Sequence, residues 1–286
     1  MGRLPPFAPG MYPILFRIGS FPIHTYGVLM IVAFLAALWI ARKRAPRFGI
    51  SPNKLSDMAF LALIGGVLGA RILYLMQDPP KDWHGYLTLQ FAGLTSFGGY
   101  IGGALVVLWW ARKSKTPLRS LLDVLGPPLL VGQAIGRVGC LLNGCCYGHV
   151  CDVHFFLGVH IPDNNFLHYP AQLYDTILTM TAFGAVLLTE KRRHLRLGQA
   201  FALSLSLLGL GRVIDEFWRA GTDAQVNAGY ASSTYWGNLP FTQAQVAAAG
   251  MILLGIVLYI VYARRPEPAP PAEPQNALEP PEAITA

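Results

Sequence analysis

The sequence predicts an all-α polytopic integral membrane protein with seven transmembrane helices, its N-terminus outside and its C-terminus cytoplasmic. Three observations carry that expectation. Hydrophobic residues make up 53% of the 286 and charged residues only 13%, outside the norms of soluble domains. Seven apolar stretches approach the roughly 20 residues that a helix needs to cross a hydrocarbon core of about 30 Å. Lysine and arginine gather in every second loop, the pattern that marks cytoplasmic loops.

The first stretch, 25–42, is too long for a signal peptide, lacks a small-residue cleavage site and runs straight into Ala41-Arg42-Lys43-Arg44. It is read as a helix. The second, 56–76, holds the run from Gly65 to Gly69 and then Arg71, and the third, 92–111, holds the run from Gly98 to Gly103. Small residues one turn apart let helix backbones approach closely or let a lipid lie against them. Stretches 120–142, 170–189, 198–218 and 242–263 complete the set, the fourth and sixth carrying polar groups at their ends.

Alternate loops hold Arg42 to Lys54, then Arg112 to Arg119, Lys191 to Arg196, and Arg264-Arg265, whereas the opposite loops hold Lys81 and little else. The formal charge of +7 is therefore a topology signal, and nucleic-acid binding is not needed to explain it. After Arg265 the chain becomes rich in Pro, Ala and Glu and cannot build a core. One transmembrane domain, 1–265, and a disordered cytoplasmic tail, 266–286, are expected. No internal repeat is evident, which speaks against a transporter of inverted halves.

Arg71, Arg137 and Arg212 lie inside or at the edge of apolar stretches. An intramembrane guanidinium costs at least about 2.5 kcal/mol on the mildest scale, so an anionic ligand or partner is expected at each. For Arg137 and Arg212 the alternatives are a bound phosphate or an ion pair with Asp215 or Glu216. For Arg71 they are headgroups, or a pair with Asp57 or Asp123.

Read in order, several segments resemble the prolipoprotein diacylglyceryl transferase family. They are His24-Thr25-Tyr26-Gly27, Gly69-Ala70-Arg71, Ser96-Phe97-Gly98-Gly99, Tyr169-Pro170-Ala171-Gln172-Leu173-Tyr174-Asp175, the Gly211 to Arg219 segment and Thr242-Gln243-Ala244-Gln245. The strongest is Gly136 to Gly148, which is similar to the signature G-R-x-G-N-F-x-N-G-E-x-x-G. The resemblance covers about residues 12 to 263. It implies transfer of a diacylglyceryl group from phosphatidylglycerol to the lipobox cysteine thiol of a bacterial prelipoprotein, giving a thioether and glycerol phosphate. It also implies the bacterial cytoplasmic membrane, a site toward the outer leaflet, and no cofactor.

On that resemblance Arg137 and Arg212 bind phosphate and act in catalysis, since arginine offers phosphate a planar, permanently charged fork. Asn143, Gly148, Arg71, Gly98, Gly99, Gln172, Tyr174 and Arg219 become candidate substrate contacts. The acceptor thiol, of pKa about 8.5, needs a base, because the thiolate is the nucleophile. Tyr26, His24 and Glu216 are candidates, with His168 behind them. Phe97 stands where one branch of the family has histidine, and Leu208 replaces a tyrosine that some members carry.

Cys140 and Cys145 stand where the signature has asparagine and glutamate. Together with Cys146 and Cys151 they fit no standard zinc spacing, and adjacent cysteines seldom ligate one ion comfortably. No metal is expected; a disulfide involving Cys151 and packed free thiols both remain open. A lipid or solute transporter that binds an anionic substrate through the same arginines is the rival reading.

Overall fold

The computed structural model describes residues 12–79, 95–161, 164–237 and 239–265. The expected tail and Lys81 lie outside them. Among the described residues seven long helices occupy the seven predicted stretches: α1 Thr25–Arg44, α2 Pro52–Gln77, α3 Ser96–Lys113, α4 Leu118–Asn143, α5 Ala171–Arg192, α6 Gln199–Glu216 and, after the short α7 Asp223–Asn227, α8 Gln243–Arg264. Five of them, α1, α2, α4, α5 and α8, are long and apolar enough to cross a membrane. The other two have 18 residues each; α6 carries Arg212, Asp215 and Glu216, and α3 spends its length on four glycines and a terminal Arg112-Lys113. The helices expose large apolar side chains outward, such as Leu35, Ile64, Leu105 and Leu253, as a surface facing lipid requires.

The expectation of an all-helical chain needs one correction. Among the described residues three small two-stranded sheets occur: β1 Ile14–Ile18 with β2 Phe21–His24, β3 Val159–Ile161 with β4 Asn164–His168, and β5 Ala220–Gly221 with β6 Ser233–Thr234. All lie in segments that join or precede helices at one end of the bundle. These short segments satisfy part of their backbone by pairing.

At the basic end the helices are locked together by α4. Pro127 inside α4 has no N–H, so the carbonyl of Asp123, four residues back, loses its helical partner. Arg44, at the end of α1, donates to that carbonyl at 3.0 Å and grips Glu190 of α5 with both Nη atoms at 2.8 and 2.6 Å. The Asp123 carboxylate meanwhile caps α6 from outside, accepting from Gly198 N at 2.6 Å and Phe201 N at 2.8 Å. Gly198 has φ +97, so α6 begins with no capping side chain of its own and takes an acidic cap from a neighbour, where the helix dipole favours one. Lys43 over Trp39 and Lys113 over Trp109 mark the same end with paired aromatic and basic groups.

The glycine runs pack helix on helix. A Cβ at Gly69 would fall 2.4 Å from the carbonyl oxygen of Gly98, and one at Gly102 would fall 2.2 Å from that of Gly65. The backbones of α2 and α3 therefore touch, and lipid does not separate them there. In the same way Gly209 and Gly255 let α8 lie on α6, each facing a backbone oxygen of the other helix. Gly102→Ala should destabilise the chain by about 1–3 kcal/mol, because the obstacle is backbone and must shift. Thermal unfolding of the two proteins in the same detergent measures this.

Candidate functional site

The ends of α4 and α6 and the start of α5 meet opposite the basic loops, and the three elements supply the charged cluster. Arg137, two turns before the end of α4, pairs with Asp175 on the first turns of α5. Arg212 spreads its fork over its own helix, with Nη1 on Asp215 at 2.8 Å and Nη2 on Glu216 at 2.7 Å. Arg219, just past α6, lies 3.8 Å from Asp215 and 3.6 Å from Glu216. Asp215 also interacts with Arg137, and Arg212 with both other arginines, so the six groups form one network.

Three arginines face three carboxylates, which balances the formal charge. The two sets differ in depth. The side chains of Asp175, Asp215 and Glu216 are 3%, 1% and 0% exposed, whereas those of Arg137 and Arg212 are 14% and 23% exposed. The carboxylates thus lie deeper than Arg137 and Arg212, while Arg219, at 8%, is nearly as buried as they are.

Of the two alternatives in the sequence, the ion pair is formed at both arginines. Sequence reasoning offered Asp215 and Glu216 as partners and missed Asp175 for Arg137. Its signal was available: Gln172, Asp175 and Thr179 recur at helical spacing and are all buried, with Thr179 donating to Asp175 at 3.2 Å.

Glu216 accepts from Ser233 on one oxygen and meets Arg212 and Arg219 with the other. Ser232, next in the same loop, receives Arg219 Nε at 3.3 Å and donates to the carbonyl of Tyr147. The β5–β6 segment thereby fastens Arg219 and Glu216 to the loop that follows α4. Gly148 in that loop is squeezed, since a Cβ there would lie 2.8 Å from Tyr169 Cβ and 2.9 Å from the carbonyl oxygens of Tyr169 and Trp218. Its role in this structure is close approach.

His168 is fully buried, stacks 4.6 Å from Tyr147 and donates Nδ1–H to the carbonyl of Gly148 at 3.0 Å, an assignment that leaves Nε2 unprotonated. Gln172, also buried, donates to the carbonyl of Cys145 at 2.6 Å, and Tyr174 lies against Trp218 at 5.1 Å. These residues shape the loop rather than line an open surface.

The remaining predicted residues gather at the same end. Tyr26 on the first turn of α1 is 39% exposed and rests on Gly139, where a Cβ would meet its ring at 3.3 Å. His24 is exposed at the start of α1, and Thr25 ties that start to the carbonyl of Tyr12, whose own N–H donates to Leu142 at the end of α4. Arg71 lies 5.5 Å over the Tyr74 ring. It sits about 21 Å along α2 from Asp57, and Asp123 is occupied at the basic end, so neither expected pairing forms. Gly98 is buried against α2; Gly99 lies beside it, and Phe97 points outward.

All four cysteines are free, so the disulfide with Cys151 is not formed. The sulfurs of Cys140, Cys145 and Cys146 lie within 4.8 Å of one another. The sequence frame explains how. Asn143 ends α4, and Gly144, at φ +75, closes it with a Schellman turn in which Gly144 N reaches Leu141 O at 3.2 Å and Cys145 N reaches Cys140 O at 3.1 Å. That turn folds Cys145 back over Cys140. Cys146 then takes φ +62, a left-handed conformation uncommon for a residue with a β-carbon, and its thiol joins the other two. Thiol hydrogen bonds from Cys140 and Cys145 hold the Cys146 thiol well below its usual pKa, with Arg219 and Arg137 adding to them.

The sequence has relatives. The sequence model of the family described as prolipoprotein diacylglyceryl transferase matches residues 13–261. The chain is similar to proteins named phosphatidylglycerol–prolipoprotein diacylglyceryl transferase. One from Clostridium tetani is 33% identical over 76% of this chain and 89% of its own length. Those from Geobacter sulfurreducens and Pseudoalteromonas atlantica are each 30% identical, covering 90% and 94% of this chain and 97% and 95% of their own.

Burial lowers the pKa of His168, so the neutral ring is the folded form. Its contribution is full above the unfolded value of 6.5 and is lost as pH falls from there toward the folded pKa. Thermal stability should therefore decline as pH falls below 6.5, by up to about 1.4 kcal/mol per pH unit from this group. His168→Asn, which retains a donor for Gly148, should flatten that decline when melts are compared across the range.

Proposed function

This chain belongs to the prolipoprotein diacylglyceryl transferase family, and from that premise we propose that it moves a diacylglyceryl group from phosphatidylglycerol to the lipobox cysteine of a prelipoprotein, with Arg137 and Arg212 holding the phosphate. The single observation that carries the assignment of roles is the depth difference in the charged cluster: buried carboxylates paired with the partly exposed side chains of Arg137 and Arg212.

The chemistry asks for that arrangement. The thiolate sulfur attacks the glyceryl carbon bound to the phosphate oxygen; a C–S bond forms, the C–O bond breaks, and its electron pair leaves with glycerol phosphate. Charge grows on the departing oxygen, so donors fixed before the reaction lower the barrier more than donors that must reorganise. Asp175, Asp215 and Glu216 fix them. Glu216, engaged on both oxygens, is a positioning group in this scheme, and Tyr26, exposed beside Gly139, is a group free to meet substrate.

We place the site toward the outer leaflet of the bacterial cytoplasmic membrane, with all seven long helices as spans and the Lys- and Arg-rich loops in the cytoplasm. The short, charged α6 is tolerated as a span because its ionised groups lie at its site end. Cysteine labelling from outside intact cells should reach positions in the 149–161 loop and leave 191–196 untouched; labelling of 191–196 would reverse the orientation.

Lysine keeps the positive charge but has no fork. Arg137→Lys and Arg212→Lys should each lower turnover about a hundredfold or more while membrane abundance changes little. Abundance is read by immunoblot and turnover by the mass gain of a lipobox peptide incubated with phosphatidylglycerol. A folded, nearly fully active variant would remove that arginine from the site.

A further inference from the structure

The convergence of Cys140, Cys145 and Cys146 has no part in the scheme above, and a half-buried trio of thiols beside a thiol-transfer site calls for a chemical reason. We propose that these three cysteines bind zinc through their sulfurs, and that the open fourth position of the metal takes the sulfur of the lipobox cysteine and presents it as a thiolate. The proposal rests on the transferase reading and names the device that activates its acceptor.

Geometry carries it. Four-coordinate zinc with Zn–S bonds of about 2.3 Å sets its sulfurs about 3.8 Å apart. The three Sγ atoms already lie within 4.8 Å of one another, so small rotamer changes close the site. The objection that adjacent cysteines diverge is met by the backbone: the Schellman turn at Gly144 returns Cys145 over Cys140, and the left-handed Cys146 turns its thiol to the same side. A left-handed conformation at a residue with a β-carbon persists only when its surroundings hold it, and such positions cluster at ligand sites. Three protein ligands and one open position is the arrangement of catalytic zinc.

Charge and location agree. Three thiolates on a divalent cation leave one negative charge, and Arg137 and Arg219 lie close enough to Cys146 to stabilise it. Tyr26 rests on Gly139, next in the chain to Cys140, which places the trio beside the exposed site residues. Two of the groups the sequence nominated as base are engaged, Glu216 by two arginines and Ser233, and His168 by Gly148, so a metal would add a route to the thiolate beside the exposed Tyr26 and His24. A coordinated thiol loses its proton outright. That proton goes to water and balances the charge of the departing phosphate monoester; the bond changes are those given above, and nothing is oxidised or reduced.

The test uses the full chain, purified in detergent without a histidine tag. Incubation with zinc and removal of excess should leave one zinc per chain, retained by Cys151→Ser and lost from Cys140→Asn and from Cys145→Glu, two independent variants in case one fails to fold. Cobalt in place of zinc should give thiolate charge-transfer bands that shift on adding a lipobox peptide, and not on adding the same peptide with serine for cysteine. Stripping the metal should lower transfer at pH 7 by about thirtyfold, the ratio of full thiolate to the fraction present in a free thiol, and zinc should restore it. A folded chain that binds less than a tenth of an equivalent, or whose trio is found as a disulfide, overturns the proposal. So does equal transfer with and without metal, which would leave the transferase reading intact. A zinc-loaded chain that transfers nothing from phosphatidylglycerol would overturn that reading instead, and the cobalt spectrum would still decide the metal site.

Discussion

Charge cannot be left uncompensated at the end of a membrane helix bundle, and the network of Arg137, Arg212 and Arg219 with Asp175, Asp215 and Glu216 is where this chain meets that constraint. Removing one member of a buried pair strands the other at a cost of about 3–5 kcal/mol. The network draws on α4, α5, α6 and the segment beyond it, so it fixes the relative depth of three helices as well as the direction of each guanidinium. Stability and function are coupled here: the carboxylates that make the arginines tolerable also orient them.

The opposite end solves a related problem with fewer groups. Pro127 frees a carbonyl, Arg44 satisfies it and joins α1 to α5 through Glu190, and the Asp123 carboxylate supplies the cap that Gly198 cannot. The bundle is thus pinned at both ends by ion pairs and in the middle by glycine-mediated contact of α2 with α3 and α6 with α8. Apolar burial alone discriminates poorly between helix depths in lipid, because the surroundings are as apolar as the side chains. The polar locks supply that discrimination.

Between the membrane helices and the compartment beyond lies the small head of strands and turns. It holds Gly148 against Tyr169 and Trp218, and through Ser232 and Ser233 it reaches down to Arg219 and Glu216. The three cysteines occupy the junction of this head with α4. Any movement of the head is therefore felt at both the thiols and the arginines.

The sequence by itself determined the seven long helices, because apolar length is a local property. It also determined Arg137 and Arg212 as the unusual residues, since a charge in an apolar run is visible without any fold. The resemblance supplied the family. It did not determine Arg137's partner, because Asp175 lies 38 residues further on, on another helix, and only packing brings them together. Nor could it show whether the glycine runs meet protein or lipid, or how His168 and Gln172, read as possible chemistry, come to be buried supports for a loop. The cysteine trio was hidden for a specific reason: its convergence depends on two consecutive reversals of the backbone, at Gly144 and Cys146, and left-handed conformation at a cysteine has no signature in spacing.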